Sequence, residues 1–231
     1  MNNNVGSLTN FTVPATAITE EQIQKNRNRI IGLLQSINRP GIPELLQALD
    51  SSDFYVAPAS TRFHNSYKGG LAEHSLNVRY CLQHICSANE TAFPPNIFPR
   101  YDADTITIAS LLHDAAKIGF YKPILRNQKV YRSDGTKWDA GGHYEWDQVV
   151  SYEVENSTPL EHGEQSKDFA MRYIQLTDAE KYALRWHMGF TEPNDNYGYI
   201  RDTFELYRLA LALHAADMEA TYYLEGRPAL G

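Results

Sequence analysis

The stretch "LLHDAAK", residues 111–117, places an imidazole, a carboxylate and an ammonium inside an apolar run. Asp104 reads as the cap of a helix passing through Ile106, Ile108, Leu111 and Leu112 to Ile118. That helix is apolar on nearly every side, which predicts a central position. His113 shares a face with Ile106 and Ser110, and Lys117 stacks one turn below it. Neighbours on a helix point about 100° apart. His113 and Asp114 therefore address one point only if it lies close to the backbone, between their two directions. An unpaired buried carboxylate costs several kcal/mol. A divalent cation removes that cost, because it takes ionised carboxylates and neutral imidazoles together.

Other segments carry the same oddity. A helical pattern from Gly69 to about Ser87 sets Leu71, Val78, Leu82 and Ile85 in one stripe, with His74 on it. Thr177, with Glu180 three residues on, forms a capping box for a helix reaching Trp186 and His187. A long apolar helix begins at Asp202 or Thr203 and ends near Gly226, with Asp217 sharing a face with Leu206, Ala210 and Leu213. His74 and Asp217 are thus the natural partners to complete a coordination shell around His113-Asp114. Taken singly, His84, His143 and His214 read as hydrogen-bonded core residues, and an ion pair with a buried Arg competes for Asp217.

The remaining segments set the architecture. Residues 1–16 read as a flexible N-terminal tail, and 17–231 as a single helical domain. Thr19 and Gln22 fit a capping box for a first helix, which Pro40-Gly41 ends, and Pro43 suits the first turn of a short second helix. A further helix runs from about His162 through Phe169 and Tyr173. Between them, residues 121–160 hold β-favouring runs with Asp-Gly and Gly-Gly turns, which predict a β-hairpin insertion or flap. Its aromatics, Tyr131, Trp138, Tyr144 and Trp146, suit either a lid or cross-strand pairs. The expected fold class is mainly α, a helical bundle with a small β-hairpin insertion.

Composition narrows the setting. Of 231 residues, 42% are hydrophobic, enough for one sizeable core. No run approaches the ~20 apolar residues that cross a bilayer. "MNNNVGSLTN" lacks the basic and apolar regions of a secretory signal. The only cysteines, Cys81 and Cys86, are too few for a zinc module and poorly spaced for a disulfide. These features together predict a soluble, cytoplasmic protein without a membrane partner. The net charge of -7 disfavours a nucleic-acid-coating surface.

Five blocks carry a resemblance. "APASTRFHNSYKGGLAEHSLNV" (57–78), "LLHDAAKIGFY" (111–121), "EHGEQS" (161–166), "LRWHMG" (184–189) and "LALHAADMEATY" (211–222) occur in an order similar to that of the HD-domain superfamily of metal-dependent phosphohydrolases, in its variant with additional histidines. The resemblance implies an HD-type bundle with His74, His113, Asp114 and Asp217 as ligands of a principal metal. It implies His162 and His187 as ligands of a second, with Asp114 bridging. Lys117 matches a lysine that contacts phosphate or the attacking water, and His64 matches a histidine of the exoribonuclease-like branch. That branch carries an N-terminal nucleic-acid-binding barrel, for which the first fifty residues here are too few and too helical. The segment from Tyr121 to Val154 exceeds a minimal HD core, and a flap there would shape the pocket.

The function expected on this basis is hydrolysis of a phosphoester in a nucleotide or related small molecule, with one or two divalent ions from among Mn²⁺, Fe²⁺, Mg²⁺, Co²⁺ and Ni²⁺. Asp114, Lys117, His162 and His187 form the expected catalytic set, and His64, Arg62 and Lys68 the substrate-binding set; Arg126 is a further candidate phosphate contact, and a solvated surface position competes for Arg62, Lys68 and Arg126. Rival expectations are a di-iron oxygenase on the same fold and a nucleotide-binding sensor without turnover. A nuclease is disfavoured by the acidic balance.

Overall fold

In the computed structural model, which describes residues 18–155 and 158–225, eight α-helices and one small antiparallel sheet form the regular structure. The expected tail at 1–16 and the expected helix end near Gly226 lie outside the described residues. Capping chemistry sets the helix starts. Helix α1 (Glu20–Gln35) opens at Thr19, whose hydroxyl accepts from the Gln22 amide at 3.1 Å. The reciprocal half of that box is replaced: Gln22 Nε2 donates to Asn26 Oδ1 at 2.9 Å. Helix α2 (Ile42–Asp50) carries Pro43 in its first turn, where the missing N–H costs nothing. Helix α3 (Gly70–Ala92) runs past the expected end at Ser87.

Helix α4 (Ala103–Leu112) departs from expectation at both ends. Asp102, not Asp104, is its cap, and accepts from the Thr105 amide at 2.7 Å. Asp104 falls in the first turn, where a negative charge suits the helix dipole. The helix stops at Leu112 rather than reaching Ile118. His113 is the C-cap, Asp114 leaves helical geometry (φ -104°, ψ 18°), and Ala115–Lys117 forms a single 3₁₀ turn. Leu111 and Leu112 are fully buried, worth roughly 1.5–3 kcal/mol each, and anchor this helix end at the centre.

Strands β1 (Tyr121–Tyr131), β2 (Lys137–Asp139) and β3 (Gly142–Val154) form an antiparallel ribbon in the order β1-β3-β2. Pairing runs from Tyr121 opposite Val154 to Tyr131 opposite Tyr144. Neither buried core cluster takes a side chain from this ribbon among the described residues. Its aromatics pack on each other. Tyr131 and Tyr144 lie 5.9 Å apart between ring centroids, and Lys129 Nζ sits 4.2 Å above the Tyr144 ring. Trp138 is exposed.

Helices α5 (His162–Met171) and α6 (Asp178–Trp186) follow, and both halves of the Thr177–Glu180 box are formed. The single long helix expected from residue 202 is two helices, α7 (Tyr197–Leu206) and α8 (Arg208–Glu219), separated at Tyr207 (φ -124°, ψ 86°). Leu206 consequently leaves the face of Asp217 and is 75% exposed. A π turn at Ala220–Leu224 extends α8. Central helix α3 packs against α4 and α8, and α6 packs against α5 and α8. One buried cluster gathers Leu34, Leu45, Leu71, Leu111 and Leu184; the other gathers Val78, Leu82, Ile106, Leu209 and Leu213. Arg39, between α1 and α2, makes two 2.8 Å bonds to fully buried Glu180 in the first turn of α6. Among the described residues, no helix is long and apolar enough to cross a membrane.

Candidate metal centre

Two histidines sit on the C-caps of their helices and solve the same local problem. The last turn of a helix leaves carbonyls without amide partners. His113 Nδ1 donates to the Ser110 carbonyl at 2.7 Å, and His187 Nδ1 donates to the Leu184 carbonyl at 2.8 Å. Each bond satisfies a carbonyl three residues back and fixes the ring. With the proton on Nδ1, Nε2 presents a lone pair to the interior. His74, on α3, is fixed in the same sense by a carboxylate: its Nδ1 lies 2.9 and 3.0 Å from the two oxygens of Glu225. Asn77 Nδ2 holds that carboxylate at 3.0 Å.

The three Nε2 atoms converge on Asp114. Its Oδ2 lies 3.5 Å from His74 Nε2, 3.5 Å from His113 Nε2 and 2.6 Å from Lys117 Nζ. Its Oδ1 lies 2.6 Å from His162 Nε2 and 3.7 Å from His187 Nε2. Asp217 Oδ1 joins the first side, 3.2 Å from His74 Nε2. The two oxygens thus face two separate donor groups. The broken helix makes this geometry available: Asp114 is freed from the 100° step that an unbroken helix imposes between neighbours. Gly163 completes the second side. A Cβ there would stand 2.1 Å from the Arg185 carbonyl oxygen, so glycine lets the start of α5 close on α6 and brings His162 to His187.

Electrostatics sort the protons. Burial alone would lower His74, but the carboxylates of Glu225 and Asp217 outweigh it and raise its pKa to about 10. Burial lowers His113 to about 4 and also lowers His162. Burial opposes ionisation of Asp114, yet the Lys117 ammonium and the surrounding imidazoles hold it well below the usual carboxylate range. Asp217 is likewise held low, chiefly by His74 acting against burial.

The donor set fits a cation on chemical grounds. His74 and His113 Nε2 atoms lie 3.2 Å apart. The buried His187 Nε2 has no hydrogen-bond partner, yet points at Asp114. With Nδ1 of each ring already donating to a carbonyl, the Nε2 lone pairs of His113 and His187 face the Asp114 carboxylate, an arrangement that a cation between them relieves. Two clusters, His74-His113-Asp114 and Asp114-His162-His187, could each hold a metal ion. A third, His64-His74-Glu225, shares His74 with the first.

Above the centre opens a cleft of about 910 Å³, lined by Asp114, Lys117, His162 and Asp217 at its floor. His64 lines the same cleft, its loop held by Ser60, whose hydroxyl donates to the His64 carbonyl at 2.7 Å and accepts from the Phe63 amide at 2.9 Å. Its buried Nε2 has no partner, and burial lowers its pKa to about 4. Arg62 and Arg126 lie elsewhere, in a recess at the ribbon's root with Tyr152. Lys68 pairs with Glu20 at 2.5 Å on the outer surface and does not line the cleft.

Three residues of the site escaped the sequence reading. Glu225 and Asn77 orient His74, and His214 lines the cleft with its Nδ1 donating to the His187 carbonyl at 2.7 Å. His84 and His143, expected in the core, are exposed and bonded to the Tyr80 and Gly135 carbonyls. No protein-family model, curated protein or solved structure matches the chain.

Proposed function

We propose that this chain is a metal-dependent phosphohydrolase of the HD-domain superfamily, hydrolysing a phosphoester in a nucleotide or related small molecule. The observation that carries this reading is the pair of imidazole groups facing opposite oxygens of one buried aspartate, with three Nδ1 atoms already committed to acceptors. His74, His113, Asp114 and Asp217 would hold one divalent ion, and Asp114, His162 and His187 a second. The mixed nitrogen and oxygen donors suit Mn²⁺, Fe²⁺, Co²⁺, Ni²⁺ or Mg²⁺. Such ions supply Lewis acidity toward a phosphoryl oxygen and lower the pKa of bound water.

The chain's own groups do the rest. Lys117, fixed by Asp114 at the cleft floor, presents a positive charge where phosphoryl oxygens gain negative charge. Water oxygen bonds to phosphorus as the bond to the leaving alcohol breaks, and a proton given up by that water passes to the alcohol oxygen. His64, on the cleft wall, adds a hydrogen-bonding nitrogen above the centre. The burial of His113 and His187 keeps bulk water off the ligand nitrogens.

Metal analysis of the purified protein, followed by a phosphate-release screen with each ion, tests the reading. We expect bound metal in the wild-type protein and its loss in a folded His113→Ala, Asp114→Ala double variant. Wild-type metal content in that variant sinks the assigned centre. Iron-dependent oxygen uptake, with no phosphate released from any ester, replaces hydrolysis with oxygenase chemistry.

A further inference from the structure

We infer that the ligand of the cleft is a phosphomonoester bearing one phosphate and a flat ring on its alcohol, a nucleoside monophosphate in chemical class. The inference rests on the phosphohydrolase reading for what happens to the ester, but is drawn from the cleft wall. Its volume, about 910 Å³, lies in the range of small-molecule sites. Away from the floor the wall is largely Phe63, Phe120, Tyr121, Met188, Met218 and Tyr222, with the polar groups of His64, Thr191, His214 and Thr221 among them. Phe63 is 50% exposed, Met218 49% and Tyr222 63%. Large apolar side chains turned to water at the mouth of a cleft mark a surface that a ligand covers. Aromatic rings and thioethers cover a flat ring well, through stacking and sulfur contacts.

Charge sets the number of phosphates. Lys117 is the one lysine or arginine among the described lining residues, and Asp114 already holds its ammonium at 2.6 Å. Arg62 and Arg126, expected from the sequence as phosphate contacts, line the separate recess of about 250 Å³. The additional phosphates of a di- or triphosphate would lose water against a largely apolar wall that offers no second lysine or arginine, which is unfavourable. Charge also separates monoester from diester. Two ions and Lys117 make three positive partners, and a monoester offers three terminal oxygens where a diester offers two.

The test uses full-length protein loaded with Mn²⁺. Calorimetry compares a nucleoside phosphonate, in which carbon replaces the ester oxygen, with a ring-free alkyl phosphonate and with a non-hydrolysable nucleoside triphosphate. Phosphate release is measured from the matching esters. The nucleoside phosphonate is expected to bind at least about tenfold tighter than the ring-free compound, and the triphosphate no tighter than the phosphonate. Tyr222→Ala, at an exposed position, should cut the ring's advantage by about fivefold, within the range of single base–aromatic stacks. Equal binding of the ring-free compound, or tighter binding of the triphosphate, overturns the ligand class while leaving hydrolysis intact if phosphate is released. If the phosphonate binds as expected but no ester loses phosphate with any ion, the hydrolase reading falls and the ligand class stands.

Discussion

Removing Glu225 should weaken one ion position and spare the other. Both Glu225 oxygens lie within hydrogen-bonding distance of His74 Nδ1, at 2.9 and 3.0 Å, and the residue is buried. A hydrogen bond to a charged group contributes about 1.5–3 kcal/mol net. Each 1.4 kcal/mol is tenfold in affinity, so on the proposed two-ion reading Glu225→Ala should weaken the ion that His74, His113, Asp114 and Asp217 would hold by roughly 10–100-fold. Glu225→Gln keeps an acceptor but loses the charge, and should fall between wild type and alanine. The proposed position between Asp114, His162 and His187 has no contact with Glu225 among the described residues and should keep its affinity within about threefold, the ordinary scatter of such effects. Calorimetric titration of metal-free protein with Mn²⁺ resolves the two steps, and thermal melts of the metal-free variants report on folding separately. An unchanged isotherm refutes the orienting role. Equal weakening at both steps in a folded variant refutes the division of Asp114 between two groups.

Three further outcomes follow from the packing. Gly189 sits at φ +56°, and a Cβ there would stand 2.5 Å from His214 Cε1, so Gly189→Ala should cost about 1–3 kcal/mol and lower the melting temperature by several degrees; an unshifted melt contradicts this. Arg39→Ala strands fully buried Glu180 and should cost about 3–5 kcal/mol at neutral pH in urea unfolding. Burial would raise Glu180, but the bonds from Arg39 and the Thr177 amide hold it below its ordinary 4.5. The unfolded chain therefore binds that proton first, so the pair's stability is complete above pH 4.5 and is lost as acid lowers the pH through and below that value. The deficit of Arg39→Ala should accordingly shrink from pH 7 to pH 4, and a constant deficit refutes the assignment. Replacing 122–153 by a short Gly-Ser linker should leave cooperative unfolding intact, because neither core cluster draws on the ribbon; loss of the transition would show that the ribbon belongs to the core.

The parts of the site legible in the sequence share one property: a polar side chain on an otherwise apolar helical stripe. Burying such a group needs compensation, so His74, His113 and Asp217 stand out from pattern alone, and the structure brings them together around Asp114. What pattern missed depends on departures from regular helix. Asp102 displaced Asp104 because either carboxylate can cap a helix start, and only the backbone turn decides. The break at Tyr207 carries no proline or glycine to announce it.

Glu225 shows the same limit most sharply. It lies eight residues after Asp217, and on a continuous α-helix eight steps would set the two about 80° apart. The π turn at Ala220–Leu224, closed by the Glu225 amide on the Ala220 carbonyl at 3.1 Å, takes up one extra residue. Eight residues then cover the arc of seven, which returns Glu225 to within about 20° of Asp217. One residue supplies an oxygen beside His74 Nε2, the other orients the same ring from Nδ1. A local irregularity invisible to periodicity thus lets a single helix grip one imidazole from both nitrogens. The end of α4 does the matching work for Asp114: stopping the helix at His113 turns two sequence neighbours from divergent directions onto one centre.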